Sequence, residues 1–330
     1  LGVAEIGNLL VDDPETKTIL LFMESIRDPD KLADMARRAF DIGKPVIVYK
    51  LGRSNAGRAL AISHSGAIAG SDEAATAYFR HHSMIRVDML ETSFEIATLV
   101  TGRVPTSGRR VAVLTTTGGG GAMVVDRLDS LGVDVITPPV KLVKQLKPKG
   151  IHLGNAPLVD LTMVGAKKEI YDMALEALLA SKECDAVVAV VGSSAQFQPE
   201  IAVEPILAAR KSNKPLAVFL VPQADRSLEM LAKAGIAVFR TPESCAEAVR
   251  AFLDWSPPQP PPPTVNQNLD NVRTALSHVN GSVLDEIQSR TVFEAIGIQV
   301  APAQLLEAYD DNLHVEFPVA AKLVSPNLAH

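Results

Sequence analysis

Short apolar runs that fit only buried strands constrain this fold more than any other feature of the chain. Residues 186–192 (AVVAVVG) and 215–221 (PLAVFLV) are continuous apolar segments of strand length, as strands buried on both faces require. Segments with helical spacing, such as residues 30–40, separate runs of this kind. Strand and helix therefore alternate, which predicts an α/β fold of parallel sheets covered by crossover helices.

The alternating pattern divides into two blocks, each predicted to be a flavodoxin-like doubly wound parallel-sheet domain. The first, residues 1–104, has three convincing strands, so we expect its remaining strands to lie upstream of the chain as given. The second, residues 105–256, contains five strands, which is the flavodoxin-like count. Residues 257–272 are rich in proline and predict an extended linker. Residues 273–330 begin a third, incomplete domain, with a helix expected at 282–296 and a strand at 317–323.

Composition excludes several classes of function. The net charge of −6, without any run of Lys and Arg, argues against a nucleic-acid surface. No apolar run reaches the length of a membrane span, so we expect a cytoplasmic protein without membrane partners. Cys184 and Cys245 form no CxxC pair and are interpreted as core residues. The histidines show no metal-ligand spacing, so no metal site made by protein ligands is predicted.

Residues 63–72 (SHSGAIAGSD) place His64 among small residues just before a predicted helix. A histidine in such a loop suits a nucleophile that carries a group between sites, although a lone histidine more often caps a turn. A phosphoryl-accepting imidazole needs a carboxylate to bind its other ring nitrogen. Glu24 is the best candidate, because it ends the first strand and carboxyl ends of parallel strands converge. Asp28 and Asp30 are weaker alternatives, since they fit the cap of the next helix.

A glycine-rich segment, residues 115–123 (TTTGGGGAM), joins a predicted strand to a helix. Glycines let the backbone approach an anion, and the helix N-terminus offers unpaired N–H groups. The predicted phosphate-binding residues are Gly118, Gly119, Gly120, Gly121 and Ala122. A tight turn without a ligand is the structural alternative. The segment is no dinucleotide fingerprint, because Met123 stands where a third spaced glycine is needed, and this disfavours an NAD-linked oxidoreductase.

Lys322 closes the apolar segment at residues 317–323. At a strand end a lysine can reach phosphate oxygens, although taken alone it fits an ordinary surface lysine. The chain has neither a GxxxxGK[ST] P-loop nor a GxSxG elbow, so the corresponding NTPase and serine-hydrolase chemistries have little support.

Together these segments resemble the NDP-forming acyl-CoA synthetases, the superfamily that includes succinyl-CoA synthetase. The most specific part is residues 50–72 (KLGRSNAGRALAISHSGAIAGSD), which is similar to the phosphohistidine segment of that family, with Ser65 in place of a threonine. The resemblance implies that His64 is the relay histidine and that Glu24 is its orienting glutamate. It also implies a CoA and acyl-phosphate side made by the following residues: Gly52, Arg53, Ser54, Ser65 and Gly66.

Two further segments extend the resemblance. Residues 155–161 (NAPLVDL) are similar to the NPVDL-type turn of the same domain. Residues 316–330 (EFPVAAKLVSPNLAH) resemble the opening of the ATP-grasp domain of the family. Lys322 would then contact nucleotide phosphate, and His330 would begin the HK segment in which some members of the family place a second relay histidine. The CoA-binding domain and most of the ATP-grasp domain of the family have no counterpart in this sequence.

What the resemblance implies is a reversible acid–thiol ligase reaction. A carboxylic acid, CoA and ATP give acyl-CoA, ADP and phosphate through a phosphohistidine at His64, with Mg²⁺ bound together with the nucleotide. The resemblance also implies a homodimer or higher oligomer. The competing hypothesis is a catalytically inactive regulatory module of the same fold that senses acyl-CoA or nucleotide. Retention of both His64 and Glu24 favours the enzyme.

Overall fold

Two parallel sheets organise most of the chain in its computed structural model. The structure describes residues 2–57, 60, 71–162, 165, 167–260, 269–277, 284–306, 312 and 314–324. The chain divides into two units, Leu1–Gln259 and Pro260–His330. Both sheets lie in the first unit.

The first sheet has three parallel strands in the order β1-β2-β3. Its elements are, in chain order, α1 (Val3–Asp12), β1 (Ile19–Met23), α2 (Pro29–Asp41), β2 (Val46–Lys50), α3 (Asp72–His81) and β3 (Met84–Val87). One face of the sheet packs on these helices through a cluster that includes Met35 and Phe79. The helix α1 was not predicted from the sequence.

The second sheet has the strand order β5-β4-β7-β8-β9, with β6 pairing alongside β4. Its strands are β4 (Arg110–Thr115), β5 (Asp134–Val135), β6 (Val159–Asp160), β7 (Ala186–Val191), β8 (Leu216–Leu220) and β9 (Ala237–Phe239). When β6 is left out of the count, the strands of this block have the order 2-1-3-4-5, which is the flavodoxin-like arrangement. The prediction of a flavodoxin-like parallel sheet is confirmed, and the short strand β6 is an addition to it.

The remaining helices of the first unit connect and cover the strands. They are α4 (Leu90–Glu95), α5 (Ala97–Val100), α6 (Gly118–Ser130), α7 (Val140–Leu146), α8 (Lys168–Ala180), α9 (Ser194–Phe197), α10 (Pro199–Ala208), α11 (Asp225–Lys233) and α12 (Pro242–Asp254). The single helix predicted at residues 92–102 is thus two short helices. None of the helices in the described ranges is both long and apolar enough to cross a membrane.

A shared core joins the two sheets. The second face of the first sheet, represented by Ile47 and Ile85, belongs to the same buried cluster as Phe252 of α12 and the adjacent Trp255. The indole Nε1–H of Trp255 donates to the carbonyl oxygen of Ser83 at 3.1 Å. The helix α12 therefore covers part of the first sheet although it follows the last strand of the second.

The second unit contains α13 (Leu269–Ser277) and α14 (Glu286–Ala295). Asp285 caps α14 in a capping box with Gln288. The strand expected at residues 317–323 is wrong: these residues form no regular element, and Phe317 and Leu323 are 78% and 80% exposed. A strand needs a neighbour for its hydrogen bonds, and the described residues of this unit provide no other strand. An apolar pattern alone is therefore not enough to predict a strand.

Candidate functional site

The carboxyl edge of the first sheet carries Glu24, the residue that follows β1. Glu24 is half-buried and lines a cavity of about 280 Å³ together with Arg27 and Asp28. The N-terminal caps of two helices, Gly2 for α1 and Asp28 for α2, lie at the same cavity. Positive ends of helix dipoles at this edge suit a site that handles anions.

The segment after the neighbouring strand β2 begins the predicted relay loop. Gly52 is buried and has a φ of +79°, a backbone conformation that favours glycine. The hydroxyl of Ser54 accepts the N–H of Gly57 at 3.0 Å and so caps the helical turn at residues 55–57. The guanidinium of Arg53 pairs with Asp88 at 3.0 Å. These contacts fix the upstream end of the segment that contains His64.

Residues 58–59 and 61–70 lie outside the described residues, and they include His64, Ser65 and Gly66. The contact between His64 and Glu24 therefore stays a prediction. The described residues continue from Ser71, whose hydroxyl accepts the N–H of Ala74 at 3.4 Å and caps α3.

Buried charges hold the downstream end of the same segment, and sequence reasoning missed them. Arg86 on β3 donates from one guanidinium nitrogen to both carboxylate oxygens of Asp72, at 2.8 and 3.0 Å. The ammonium of Lys50, which is 4% exposed, lies 4.0 Å from the same carboxylate and donates to the Leu51 carbonyl at 2.9 Å. The available signal was a charged residue in each of two otherwise apolar strands, at the end of β2 and within β3. Asp72 thus ties the start of α3 to the sheet.

The carboxyl edge of the second sheet carries the glycine-rich segment. The Thr115 hydroxyl donates to the Thr117 carbonyl at 2.8 Å and accepts the Thr117 N–H at 2.9 Å, which shapes the turn between β4 and α6. The helix begins at Gly118, and Thr117 makes no side-chain cap. Gly118 and Gly119 are exposed at this helix start, as is Ala122 one turn further along.

Gly120 and Gly121 differ from the first two glycines because both are buried. A Cβ at Gly120 would lie 2.5 Å from Cγ1 of Val221, and one at Gly121 would lie 2.8 Å from Cγ2 of Thr115. Real Cβ atoms do not approach so closely, so these two glycines let α6 pack against the sheet. A Cβ at Gly119 meets nothing within 4 Å. The exposed glycine backbone at this edge is thus that of Gly118 and Gly119, and only Gly119 has open space beside it.

A carboxylate lies beside the start of α6. Asp160 pairs with Thr115 in the register between β6 and β4, so it ends at the same edge. Its Oδ1 accepts the N–H of Thr162 at 2.8 Å, and its Oδ2 lies 3.0 Å from the position that a Cβ of Gly118 would occupy. The turn that contains Asp160 was recognisable in the sequence, but the residues around Asp160 gave no indication that it lies beside Gly118.

A small crevice opens between the carboxyl ends of β4 and β7, which are adjacent strands on either side of the switch in strand order. Its volume is about 50 Å³. Hydrogen-bonding and apolar side chains share the lining: Thr116, Lys168, Tyr171, Ser194, Gln198, Val191, Ile201, Ala202 and Pro205. No acidic side chain is among these described lining residues.

Tyr171 is the unusual member of this lining. It is 4% exposed, and among the residues that the structure describes its hydroxyl has no hydrogen-bond partner. Burial raises the pKa of this phenol above its usual value, so the hydroxyl is neutral and can donate. A buried hydroxyl without a partner costs about 1–3 kcal/mol, which a ligand in the crevice would offset.

The predicted nucleotide residues lie in the second unit. Lys322 pairs with Glu286 at 3.1 Å, and both side chains are exposed. His330 lies outside the described residues. Within the described ranges, no group of three or more His, Cys, Asp or Glu side chains is arranged to hold a metal ion.

A flavodoxin-like sheet with a glycine-rich helix start at its carboxyl edge defines the class as a doubly wound α/β protein suited to anion binding. The sequence model of the succinyl-CoA ligase like flavodoxin domain matches residues 1–100. This part of the chain is such a domain, and the chain is related to the ADP-forming acyl-CoA synthetases, as its motifs predicted.

The similarity extends beyond that domain. The chain is 30% identical over 263 residues to the alpha subunit of ADP-forming acetate–CoA ligase II of Pyrococcus furiosus, covering 77% of this chain and 56% of the relative. It is 29% identical over 338 residues to ADP-forming acetate–CoA ligase I of Archaeoglobus fulgidus, covering 97% and 48%. The chain therefore spans about half the length of these curated relatives.

A solved structure shows the same fold. The dinucleotide forming acetyl-coenzyme A synthetase 1 of Ca. Korarchaeum cryptofilum, in complex with phosphate and ADP, is 27% identical, with a TM-score of 0.63. The match covers 77% of this chain and 56% of that chain.

Proposed function

We propose that this chain is the phosphoryl-relay core of an ADP-forming acid–thiol ligase. The complete protein would convert a carboxylic acid, CoA and ATP into acyl-CoA, ADP and phosphate, reversibly. One observation carries the proposal: two sheet edges in one unit end in the elements that a relay needs. The first edge has Glu24 and the anchored ends of the His64 segment, and the second has the open helix start at Gly118 and Gly119.

His64 would be the nucleophile that accepts the phosphoryl group. A neutral imidazole nitrogen would attack the γ-phosphorus of ATP as ADP leaves, and the substrate carboxylate would then take the phosphoryl group from His64 to give an acyl phosphate, from which CoA displaces phosphate. Glu24 would accept a hydrogen bond from the other ring N–H, which orients the ring and makes it more basic. Splitting the transfer into two displacements lowers the barrier of each. The residues next to His64 in the sequence, residues 61–70 (AISHSGAIAG), are small or aliphatic, which is compatible with the movement between sites that a relay requires.

The start of α6 would receive the phosphoryl group. Backbone N–H groups of the first helical turn have no acceptor within the helix, and the helix dipole adds about half a positive charge there. Gly118 and Gly119 are exposed and have no side chain of their own, and the space around a Cβ at Gly119 is open. Both features stabilise charge that develops on the transferring group.

The crevice beside Tyr171 would hold the acid. Hydroxyls of Thr116, Tyr171 and Ser194 and the amide of Gln198 can donate to a carboxylate. The ammonium of Lys168 also lines the crevice, although it already pairs with Asp172 at 2.7 Å. The apolar wall of Val191 and Ile201 suits an alkyl group. Because the crevice is only about 50 Å³, we propose a short-chain acid as the substrate.

CoA and nucleotide would require the rest of the complete protein. Gly52, Arg53 and Ser54, with Ser65 and Gly66, would face the CoA and acyl-phosphate side. Lys322 and His330 would act on the nucleotide, with which Mg²⁺ binds and neutralises phosphate charge. We also propose that the complete protein is cytoplasmic and assembles as a homodimer or higher oligomer.

Mass spectrometry of the complete protein after incubation with ATP and Mg²⁺ tests the relay. We expect an acid-labile phosphate on His64 that is absent in His64→Ala and retained in His152→Ala, a matched exposed histidine. If the protein binds ATP but no histidine is labelled, the ligase proposal fails and the sensing module is favoured.

A further inference from the structure

We propose that Asp160 is a positioning residue that weakens the binding of phosphate at the start of α6, so that the group does not remain there. This inference rests on the proposed function, because it assigns a role to a neighbour of the proposed phosphate site. It concerns the release of phosphate and not the capture of the phosphoryl group.

The fold fixes the position of Asp160. Strand β6 is only two residues long, and its register sets Asp160 opposite Thr115, the last residue of β4. The N–H of Leu161 donates to the Thr115 carbonyl at 2.9 Å and locks this pairing. The next residue, Thr162, has a φ of +53°, which is strained for a β-branched side chain, and its N–H binds Oδ1 of Asp160. The turn thus holds the carboxylate in one orientation.

The free side of the carboxylate faces Gly118. Its Oδ2 lies 3.0 Å from the position of a Gly118 Cβ, so it is within a few ångströms of the exposed helix start. No described Lys or Arg forms an ion pair with Asp160. Phosphate bound at Gly118 and Gly119 would therefore lie close to a second negative charge that no cation in this part of the chain neutralises.

The physical consequence follows from the relative charges. The helix start contributes about half a positive charge, whereas the ionised carboxylate contributes a full negative charge at similar range. Repulsion therefore offsets much of the attraction between α6 and phosphate. Weak binding is useful in a relay, because a group held too tightly would not leave. The competing explanation is structural: a carboxylate near a helix N-terminus stabilises the helix.

Titration of the complete protein with inorganic phosphate, followed by calorimetry, separates these explanations. We expect Asp160→Asn to bind phosphate about 3- to 10-fold more tightly than the wild type at low salt, and less so at high salt. Inhibition of acyl-CoA formation by phosphate should strengthen by the same factor. The control is Asp134→Asn, since Asp134 is exposed at the opposite end of the same sheet and should change neither quantity.

Unchanged or weaker phosphate binding in Asp160→Asn would overturn the proposal. A purely structural role would lower the melting temperature without tightening binding. The variant Gly119→Asp tests the phosphate site independently of Asp160. It places a carboxylate at the start of α6, at a position where a side chain meets no other atom within 4 Å. If it leaves the phosphate affinity unchanged, the proposed phosphate site is wrong and the role of Asp160 falls with it. If it abolishes binding while Asp160→Asn has no effect, only the role of Asp160 is overturned.

Discussion

The carboxylate of Glu247 accepts a hydrogen bond from the Thr92 hydroxyl at 2.5 Å across 155 residues of sequence. Glu247 lies on α12 and is 3% exposed. It also accepts the backbone N–H groups of Asp88 and Met89, the latter at 3.2 Å. A side chain from the second block thereby caps the start of α4, which follows the last strand of the first sheet. This contact fixes the two sheets relative to each other.

Replacing Glu247 by alanine should lower the free energy of unfolding by about 2–4 kcal/mol, because one buried and two half-buried donors lose their acceptor. Urea denaturation measures this loss. Glu176→Ala provides the control, since Glu176 is exposed on α8 and its replacement should cost less than about 0.5 kcal/mol. Equal losses for the two variants would show that the buried cap does not stabilise the unit.

Stability should also depend on pH through the same carboxyl group. Burial raises the pKa of Glu247 above its ordinary value of 4.5. The folded state therefore holds the proton more tightly than the unfolded chain does. Stability from this group is full below pH 4.5, falls as pH rises through the raised pKa, and is constant above it.

The difference in unfolding free energy between the wild type and Glu247→Gln isolates this effect, because glutamine does not titrate. We expect the difference to decline above pH 4.5 in a urea series at several pH values. A difference that rises with pH over that window would contradict the prediction.

Replacing the glycines of α6 by alanine should lower the stability of the protein at the buried positions and not at the exposed ones. Gly120→Ala should destabilise the protein by about 1–3 kcal/mol, because its Cβ would overlap Val221 and the core must shift. Gly119→Ala has open space, and alanine is the better helix former, so its stability should be unchanged or about 0.5 kcal/mol higher. Thermal unfolding of the two variants tests this contrast, and a stable Gly120→Ala variant would refute the packing role.

The sequence predicted those features that depend on local pattern. Continuous apolar runs identified β7 and β8, and the glycine-rich segment marked the turn from β4 into α6. Features that depend on tertiary neighbours were not predictable. Nothing near Glu247 indicates that its partner is Thr92, and the proximity of Asp160 to Gly118 arises only from the β6–β4 register. The strand expected at residues 317–323 failed for the same reason, because a partner strand decides whether such a segment forms a strand.

Tyr171 offers a test in which stability and function should change in opposite directions. Tyr171→Phe removes a buried hydroxyl that has no described partner, so the free energy of unfolding should stay equal or rise by up to about 1 kcal/mol. If the crevice holds the acid, the same variant loses a donor to the carboxylate. The KM of the complete enzyme for its acid should then rise about 5- to 20-fold, while the KM for ATP stays unchanged.

Tyr78→Phe is the matched control, because the Tyr78 hydroxyl donates to the Pro29 carbonyl within the first sheet's helical layer. That variant should lose stability and keep its KM for the acid. An unchanged acid KM in Tyr171→Phe, together with a gain in stability, would mean that the hydroxyl is only an unpaired group in the core. The crevice would then have to be excluded as the acid site, although the relay through His64 would stand.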